Sequence, residues 1–299
     1  MTLSVIGNLA ILVMLLLFLY RLQQTHVSFT RRVFSGLGLG VLFGWALQLL
    51  YGVGSEVLVQ TGDYLDLVGS GYVKLLQMII IPLIMVSIIG AILKLSGGTA
   101  LGKISALTIG VLIFTTMIAA GAGILMSNLF GLSAEGLVAG AAETARGAAL
   151  QTSLGSVESM SLAKMVLEFI PANPFLDMTG SRKTSTIAVV IFSIFIGLSA
   201  TGIARKQPEI FASFERFMGV AHAIVMRMVT LVLRLTPYGV LALMAKVVSG
   251  SNYADIINLL NFVLASYGAI AIMFLVHLLL VSLVGINPLR FLKKIMPVL

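Results

Sequence analysis

Residues 71–93 read GYVKLLQMIIIPLIMVSIIGAIL, with Lys74 as their one charge. The hydrocarbon core of a bilayer is about 30 Å thick, and a helix crosses it in about 20 apolar residues. The stretch is long enough, with Lys74 one turn into it and free to snorkel outward. Its internal Pro82 is no objection, because spanning helices tolerate proline. Six further runs of this kind lie at roughly 3–20, 34–52, 104–130, 184–203, 217–247 and 254–284. Together the seven occupy more than half of the 299 residues. The reading is an all-α polytopic membrane protein whose main surroundings are a lipid bilayer.

Composition agrees. The chain is 59% apolar and 10% charged, with a mean hydropathy of +1.09. Soluble domains run about 45–50% apolar and about 25% charged. A cytosolic enzyme and a disordered tail are excluded. No cysteine is present, which excludes a disulfide scaffold, a thiolate metal site and a cysteine nucleophile. The net charge of +8 sits in short clusters between apolar runs, not on one basic face, so no nucleic-acid partner is expected. The first run has the length of a secretory signal. It lacks a preceding positive residue, and it ends in Tyr20-Arg21-Leu22 instead of a small-residue cleavage site. It reads as a retained helix.

Charge sets the expected orientation. With the N-terminus outside the cytoplasm, the inner loops hold Arg21, Arg31, Arg32, Lys94, Lys103, Arg205, Lys206, Arg216, Arg290, Lys293 and Lys294. The outer loops 53–70, 131–160 and 248–253 hold Arg146 and six acids, among them Glu56, Asp63 and Asp66. Cytoplasmic loops carry the excess of Lys and Arg. Arg182 and Lys183, at the outer end of the fifth run, stand against the pattern.

Residues 161–183 are more than a loop. SLAKMVLEFI (161–170) reads as a short helix capped by Ser161, and Pro171-Ala172-Asn173-Pro174 breaks it. Interrupted elements at membrane depth line protein or water rather than lipid. Pro82 and Pro237 each precede an apolar half-helix, a lysine and a Ser-Gly, on spans of opposite sense, as an inverted repeat would leave. Asn287-Pro288 opens a helix that is still running at the last residue, Leu299, so the chain reads as cut.

Side chains for chemistry are few. His26, His222 and His277 are far apart, and no acid lies deep in a span. Paired acids, a phosphate loop and a nucleophile motif are all missing, which speaks against a membrane enzyme. Arg227 and Arg234 share one helix face. They read as a snorkelling cation and a cap on carbonyls freed by Pro237. Thr115 and Thr116 sit mid-span in VLIFTTMIAAGAG (111–123). Such hydroxyls either bond back to the preceding turn or contribute oxygens to a hard cation. The small residues after them, Ala119 to Gly123, permit close helix approach.

Several strings resemble one family: GYVKLLQMIIIPLIMVSII (71–89), LGKISALTIGVLIFTT (101–116), NLFGLSAEGLVAGAAETAR (128–146), FIPANPF (169–175), LTPYGVLALMAKVVSGSN (235–252) and INPLRFLKKIMPVL (286–299). They are similar to the N-terminal portion of the dicarboxylate/amino acid:cation symporters, the glutamate-transporter-like fold. Within it they resemble the bacterial L-cystine uptake group. The resemblance implies an incomplete glutamate-transporter-homologue fold, with scaffold helices and part of a transport domain. Its divisions would be an extra N-terminal helix and cytoplasmic loop at 1–28, scaffold helices at 29–100, a transport-domain helix at 101–130, an extracytoplasmic loop at 131–160, scaffold helices at 161–250, and a transport-domain helix with the start of a re-entrant hairpin at 251–299. It implies a homotrimer in the bacterial inner membrane, importing L-cystine or a related amino acid by an elevator movement. The substrate elements would lie beyond Leu299. No cofactor is implied beyond a coupling ion, Na+ or H+. Thr115 and Thr116 match a hydroxyl pair at a deep Na+ site. Leu112 stands where a member with known Na+ sites has tyrosine, so Na+ and H+ both stay open. Alternatives are a dicarboxylate or acidic amino-acid symporter of the same family, or a membrane scaffold complete at 299 residues.

Overall fold

The computed structural model describes residues 2–95, 101–132, 147, 148, 151, 161–182, 184–251 and 253–295. Among them every regular element is a helix. These are α1 (Leu3–Gln24), α2 (Phe29–Tyr51), α3 (Glu56–Leu95), α4 (Leu101–Leu129), α5 (Leu162–Glu168), α6 (Pro174–Met178), α7 (Ser185–Ile203), α8 (Pro208–Leu233), α9 (Thr236–Gly250), α10 (Tyr253–Leu283) and α11 (Pro288–Ile295). Seven of them, α1, α2, α3, α4, α7, α8 and α10, are long and apolar enough to cross a membrane. The expected all-α polytopic architecture is what the chain adopts. It divides into two compact units, one within Met1–Gly98 and Ala139–Ser251, the other within Thr99–Val138 and Asn252–Leu299.

The first unit holds α1–α3 and α5–α9. Its tightest contact joins α2 to α9. Gly36, Gly40 and Gly44 recur every four residues on α2 and face Pro237, Leu241 and Ala245 on α9. A Cβ on Gly40 would stand 2.5 Å from the Leu241 carbonyl oxygen, and one on Gly44 would stand 2.5 Å from that of Ala245. In lipid, apolar contact alone does not draw helices together, so backbones that can come this close hold them by packing. On the other side of α9, Gly239 leaves room for the Tyr72 ring of α3, whose hydroxyl hydrogen-bonds Thr236 Oγ1 at 2.8 Å. The α3 helix carries a buried stripe at seven-residue spacing: Leu58, Leu65, Tyr72, Ile79, Val86 and Leu93. Met218, Val225 and Val232 repeat the spacing on α8 and pack against its second half. A strict seven-residue repeat is the seam of left-handed helix packing.

Three expectations about boundaries need correction. The loop placed at 53–70 is helical from Glu56 onward, so Lys74 lies five turns into α3, where it is exposed. Two of the acids counted in that loop are bonded along or beside the helix. Glu56 accepts from Gln60, Asp66 accepts from Ser70 at 3.0 Å, and Asp66 pairs with Lys246 of α9. The run 217–247 is two helices. Here α8 begins at Pro208 and ends at Leu233, and α9 reopens with Pro237 in its first turn. Proline cannot supply the N–H a helix interior needs, but a first turn does not use it. Arg234 is the exposed residue that closes α8 through its own N–H, bonded to the Thr230 carbonyl, with the Leu235 N–H bonded to that of Val232. Most of 131–160, Lys183 and the residues after Ile295 lie outside the described residues.

The break at 171–174 forms as read. Ser161 Oγ accepts from Lys164 N, and Asn173 Oδ1 accepts from the N–H groups of Phe175 (3.1 Å) and Leu176 (3.3 Å). Beyond it lies a buried ion pair. Asp177, with 0% exposure, accepts from Arg182 Nε at 2.7 Å and meets its Nη2 at 2.6 Å. Ser185 Oγ donates to the same carboxylate oxygen at 3.4 Å. Arg182 therefore carries no uncompensated charge at this end of α7.

Two stability measurements follow, both read as thermal unfolding in detergent. Gly40→Ala should destabilise by about 1–3 kcal/mol, because the added methyl overpacks a backbone contact. Gly38→Ala, which meets nothing within 4 Å on the same helix, should be neutral or slightly stabilising. Equal effects would show that the glycine contact is not what holds α2 to α9. Arg182→Ala should cost up to about 3 kcal/mol by stranding the Asp177 carboxylate, while the Asp177→Ala and Arg182→Ala double variant recovers much of the loss. A double variant as unstable as the single one would refute the ion-pair account.

Candidate functional site

The second unit carries the hydroxyl pair. Its α4 and α10 helices meet at Ala122 and Ala265, both buried, and at Gly268, where a Cβ would stand 2.9 Å from Met126 Sδ. Of the small residues at 119–123, Gly121 and Gly123 face open space. The close approach in this unit is made by Gly268 of the partner helix instead. Near this crossing lies a cleft of about 350 Å³, edged by Gly123, Ser127, Phe262 and Ser266.

Thr115 and Thr116 lie about two turns before Ala122. Thr115 Oγ1 donates to the carbonyls of Val111 (2.9 Å) and Leu112 (3.1 Å), and Thr116 Oγ1 donates to that of Leu112 (2.7 Å). Thr115 is buried at 8% exposure, and Thr116 is exposed. Both hydroxyls thus make the local back-bond that is usual for threonine in an apolar helix. The bond uses the proton alone. Each oxygen keeps acceptor lone pairs, turned away from the carbonyl it serves. Among the described residues no group of three or more His, Asp or Glu could hold a metal ion.

Other polar side chains tie helices of the first unit together. Asn8 of α1, buried, donates to Thr61 Oγ1 of α3 at 3.1 Å and accepts from the Tyr51 hydroxyl of α2 at 3.3 Å. At the far end of α1, Gln23 Oε1 accepts from Arg32 Nη1 (2.9 Å) and from the Tyr238 hydroxyl (3.2 Å). Gln48 Nε2 reaches the Ser251 carbonyl at 2.6 Å. The sequence reading passed over all of these. Asn8 and Gln48 were legible as rare amides inside apolar runs, and the GxxxGxxxG spacing of 36–44 was legible as a contact face. The partners across the fold were not. Arg227, His222 and His277 are exposed. His277 bonds the Met273 carbonyl one turn earlier.

Comparison with known proteins covers the same ground. Residues 29–299 match the sequence profile of the sodium:dicarboxylate symporter family. The chain is 53% identical over 298 residues to the L-cystine uptake protein TcyP of Bacillus cereus (strain ATCC 14579). It is 49% identical to the proteins of that name from Bacillus licheniformis and Bacillus subtilis (strain 168). In each case all of this chain is covered, against 64% of the B. cereus and B. subtilis proteins and 65% of the B. licheniformis one. The chain thus spans just under two thirds of the length of these relatives. The family profile begins at α2, whereas the match to the relatives takes in α1 as well. A membrane fold of spanning helices with a proline-broken element, matched to one profile over nine tenths of its length, places this chain in the sodium:dicarboxylate symporter family.

Proposed function

We propose that this chain is part of a cation-coupled importer of L-cystine in the bacterial inner membrane. One observation carries the reading. Relatives named for L-cystine uptake match every part of the chain at 49–53% identity, including the α1 helix that the family profile leaves out. The family's name favours a second reading, a dicarboxylate or acidic amino-acid symporter.

The first unit would be the static scaffold and the helices of the second unit part of a moving transport domain, as an elevator mechanism requires. The tight α2–α9 contact and the buried stripe of α3 support a rigid role for the first unit. The chain would work as a homotrimer. Thr115 and Thr116 would contribute oxygens to the coupling-cation site, Na+ or H+, because their protons are already committed to carbonyls. A proton would use these oxygens less well than Na+, which needs several oxygen ligands at once. The N-terminus would face outward. The ion pair with Asp177 supports this orientation, since it neutralises Arg182, one of the two cations that stood against it.

The test is uptake of radiolabelled L-cystine into proteoliposomes, using the longest reading frame that contains this chain, with imposed Na+ or proton gradients. Uptake driven by either gradient and outcompeted by unlabelled L-cystine is the expected result. Competition by aspartate or a C4-dicarboxylate alone would transfer the reading to the second class. Thr115→Ala with Thr116→Ala should raise the cation concentration for half-maximal uptake about tenfold, the loss of one well-made ligand contact. Unchanged cation dependence would remove both residues from the site. Orientation has its own test, helped by the absence of cysteine from these 299 residues. Thr2→Cys should react with a membrane-impermeant maleimide added to intact spheroplasts, and Arg205→Cys should react only after lysis. The opposite pattern would invert the topology.

A further inference from the structure

The α11 helix divides its side chains by charge. Phe291, Leu292 and Ile295 are half-buried, and at about 100° per residue they fall on one face. Arg290, Lys293 and Lys294 are exposed and fall within about 100° of one another on the opposite face. No acid offsets them. The ion pairs among the described residues are Arg182–Asp177 and Lys246–Asp66, and neither reaches α11.

The wider sequence of the second unit repeats the imbalance. Spans alternate in direction, so α10 ends on the side from which α4 starts. The segments 99–103 and 284–299 hold Lys103, Arg290, Lys293 and Lys294 and no acid. The segments 130–138 and 252–256, toward the other ends of these spans, hold Glu135 and Asp255 and no cation.

The turn at 284–287 sets the height of α11. Gly285, at φ +83°, donates to the Ser282 carbonyl at 2.9 Å, and Ile286 N–H donates to that of Val281 at 3.2 Å. Asn287 Oδ1 then accepts from the N–H groups of Leu289 (3.0 Å) and Arg290 (3.3 Å). A turn closed by these bonds keeps α11 beside the end of its span, and α11 packs on α10. Leu283, Val284 and Leu289 around the turn are 74%, 77% and 69% exposed. Apolar side chains this open are stable among acyl chains and costly in water. They put the start of α11 at the boundary of hydrocarbon and headgroups, with its cations level with the phosphates. A soluble acidic partner would leave those apolar side chains in water, whereas a membrane surface covers them.

We propose that α11 binds the anionic headgroups of the membrane face it lies on, with Arg290, Lys293 and Lys294 holding lipid phosphates. A cationic face opposite an apolar one, beside a span, is the arrangement that an anionic leaflet attracts. That this face is the cytoplasmic one rests on the outward N-terminus proposed above. The contact itself does not, and a nanodisc presents the same lipid on both faces.

The experiment is hydrogen exchange read by mass spectrometry, on the longest reading frame that contains this chain. Nanodiscs of phosphatidylcholine alone are compared with discs of equal parts phosphatidylcholine and phosphatidylglycerol. The α11 amides should exchange about tenfold more slowly in the phosphatidylglycerol discs. At about 1 M salt, where screening acts within about 3 Å, the difference should vanish. Arg290→Gln, Lys293→Gln and Lys294→Gln together should abolish it while leaving exchange in phosphatidylcholine unchanged. All three positions are exposed, so the fold survives the changes. Equal exchange in the two discs overturns the proposal, as it would if protein covered this helix. So does a difference that persists in the triple variant. So does equal slowing by inorganic phosphate added to phosphatidylcholine discs, which would make the ligand a free anion and not a membrane.

Discussion

The structure turns on how closely two backbones can approach. In water, burial of apolar surface would hold α2 to α9. In lipid the surroundings are as apolar as the helices, and that drive is gone. What is left is dispersion between surfaces that fit, and three glycines on α2 let its backbone rest on the carbonyls of Pro237, Leu241 and Ala245. The rest of the first unit is arranged around this contact. With α9 fixed on α2, Gly239 presents a notch on the opposite side, and Tyr72 fills it. Tyr72 in turn belongs to the buried stripe of α3, and the far half of that stripe receives α7 and α8. Each helix is placed by the one before it.

The parts of this legible in the sequence were those that depend on a residue's own character. Apolar runs gave seven spans, because length and hydropathy are local properties. Ser161, Asn173 and Asn287 capped helices where their side chains allow it. What failed was the reading of single charges without their partners. Asp63 and Asp66 were counted in an outer loop at 53–70. Asp66 is instead carried inside α3 by Lys246, 180 residues away in the chain. Arg182 looked like a charge on the wrong side, and Asp177 cancels it within five residues. A run of apolar residues likewise says nothing of the break at Arg234–Leu235 until Pro237 is read as a first-turn residue and not an interior one. Charge and proline both take their meaning from a partner or a position.

At the hydroxyl pair the two readings of the sequence turn out not to compete. Back-bonding was the ordinary account of Thr115 and Thr116, and cation ligation was the account the family resemblance implied. The back-bonds are present. They consume protons and leave oxygen lone pairs, which are all a cation would take. The local bond is the means by which a flexible hydroxyl becomes a fixed dipole. What the sequence could not convey is that Thr115 is shielded and Thr116 open, though the two are adjacent, because neighbours on a helix point about 100° apart.

The first helix applies the same rules where the family profile does not reach. It was read as retained because it lacks the marks of a cleaved signal, which is an argument from what is missing. The positive argument is in its contacts. Val5, Leu12 and Leu19 are buried at seven-residue spacing, so one stripe of α1 is committed to the unit. Within that stripe Asn8 bonds both Thr61 and Tyr51. Hydrogen bonds of this kind in membranes contribute about 0.6 kcal/mol on average, too little to hold a helix. Their effect is on register. A shift of α1 by one turn would leave the Asn8 amide unpaired in an apolar setting, at a cost well above the bond's own worth. The apolar stripe attaches α1, and the asparagine fixes where along α3 it is attached.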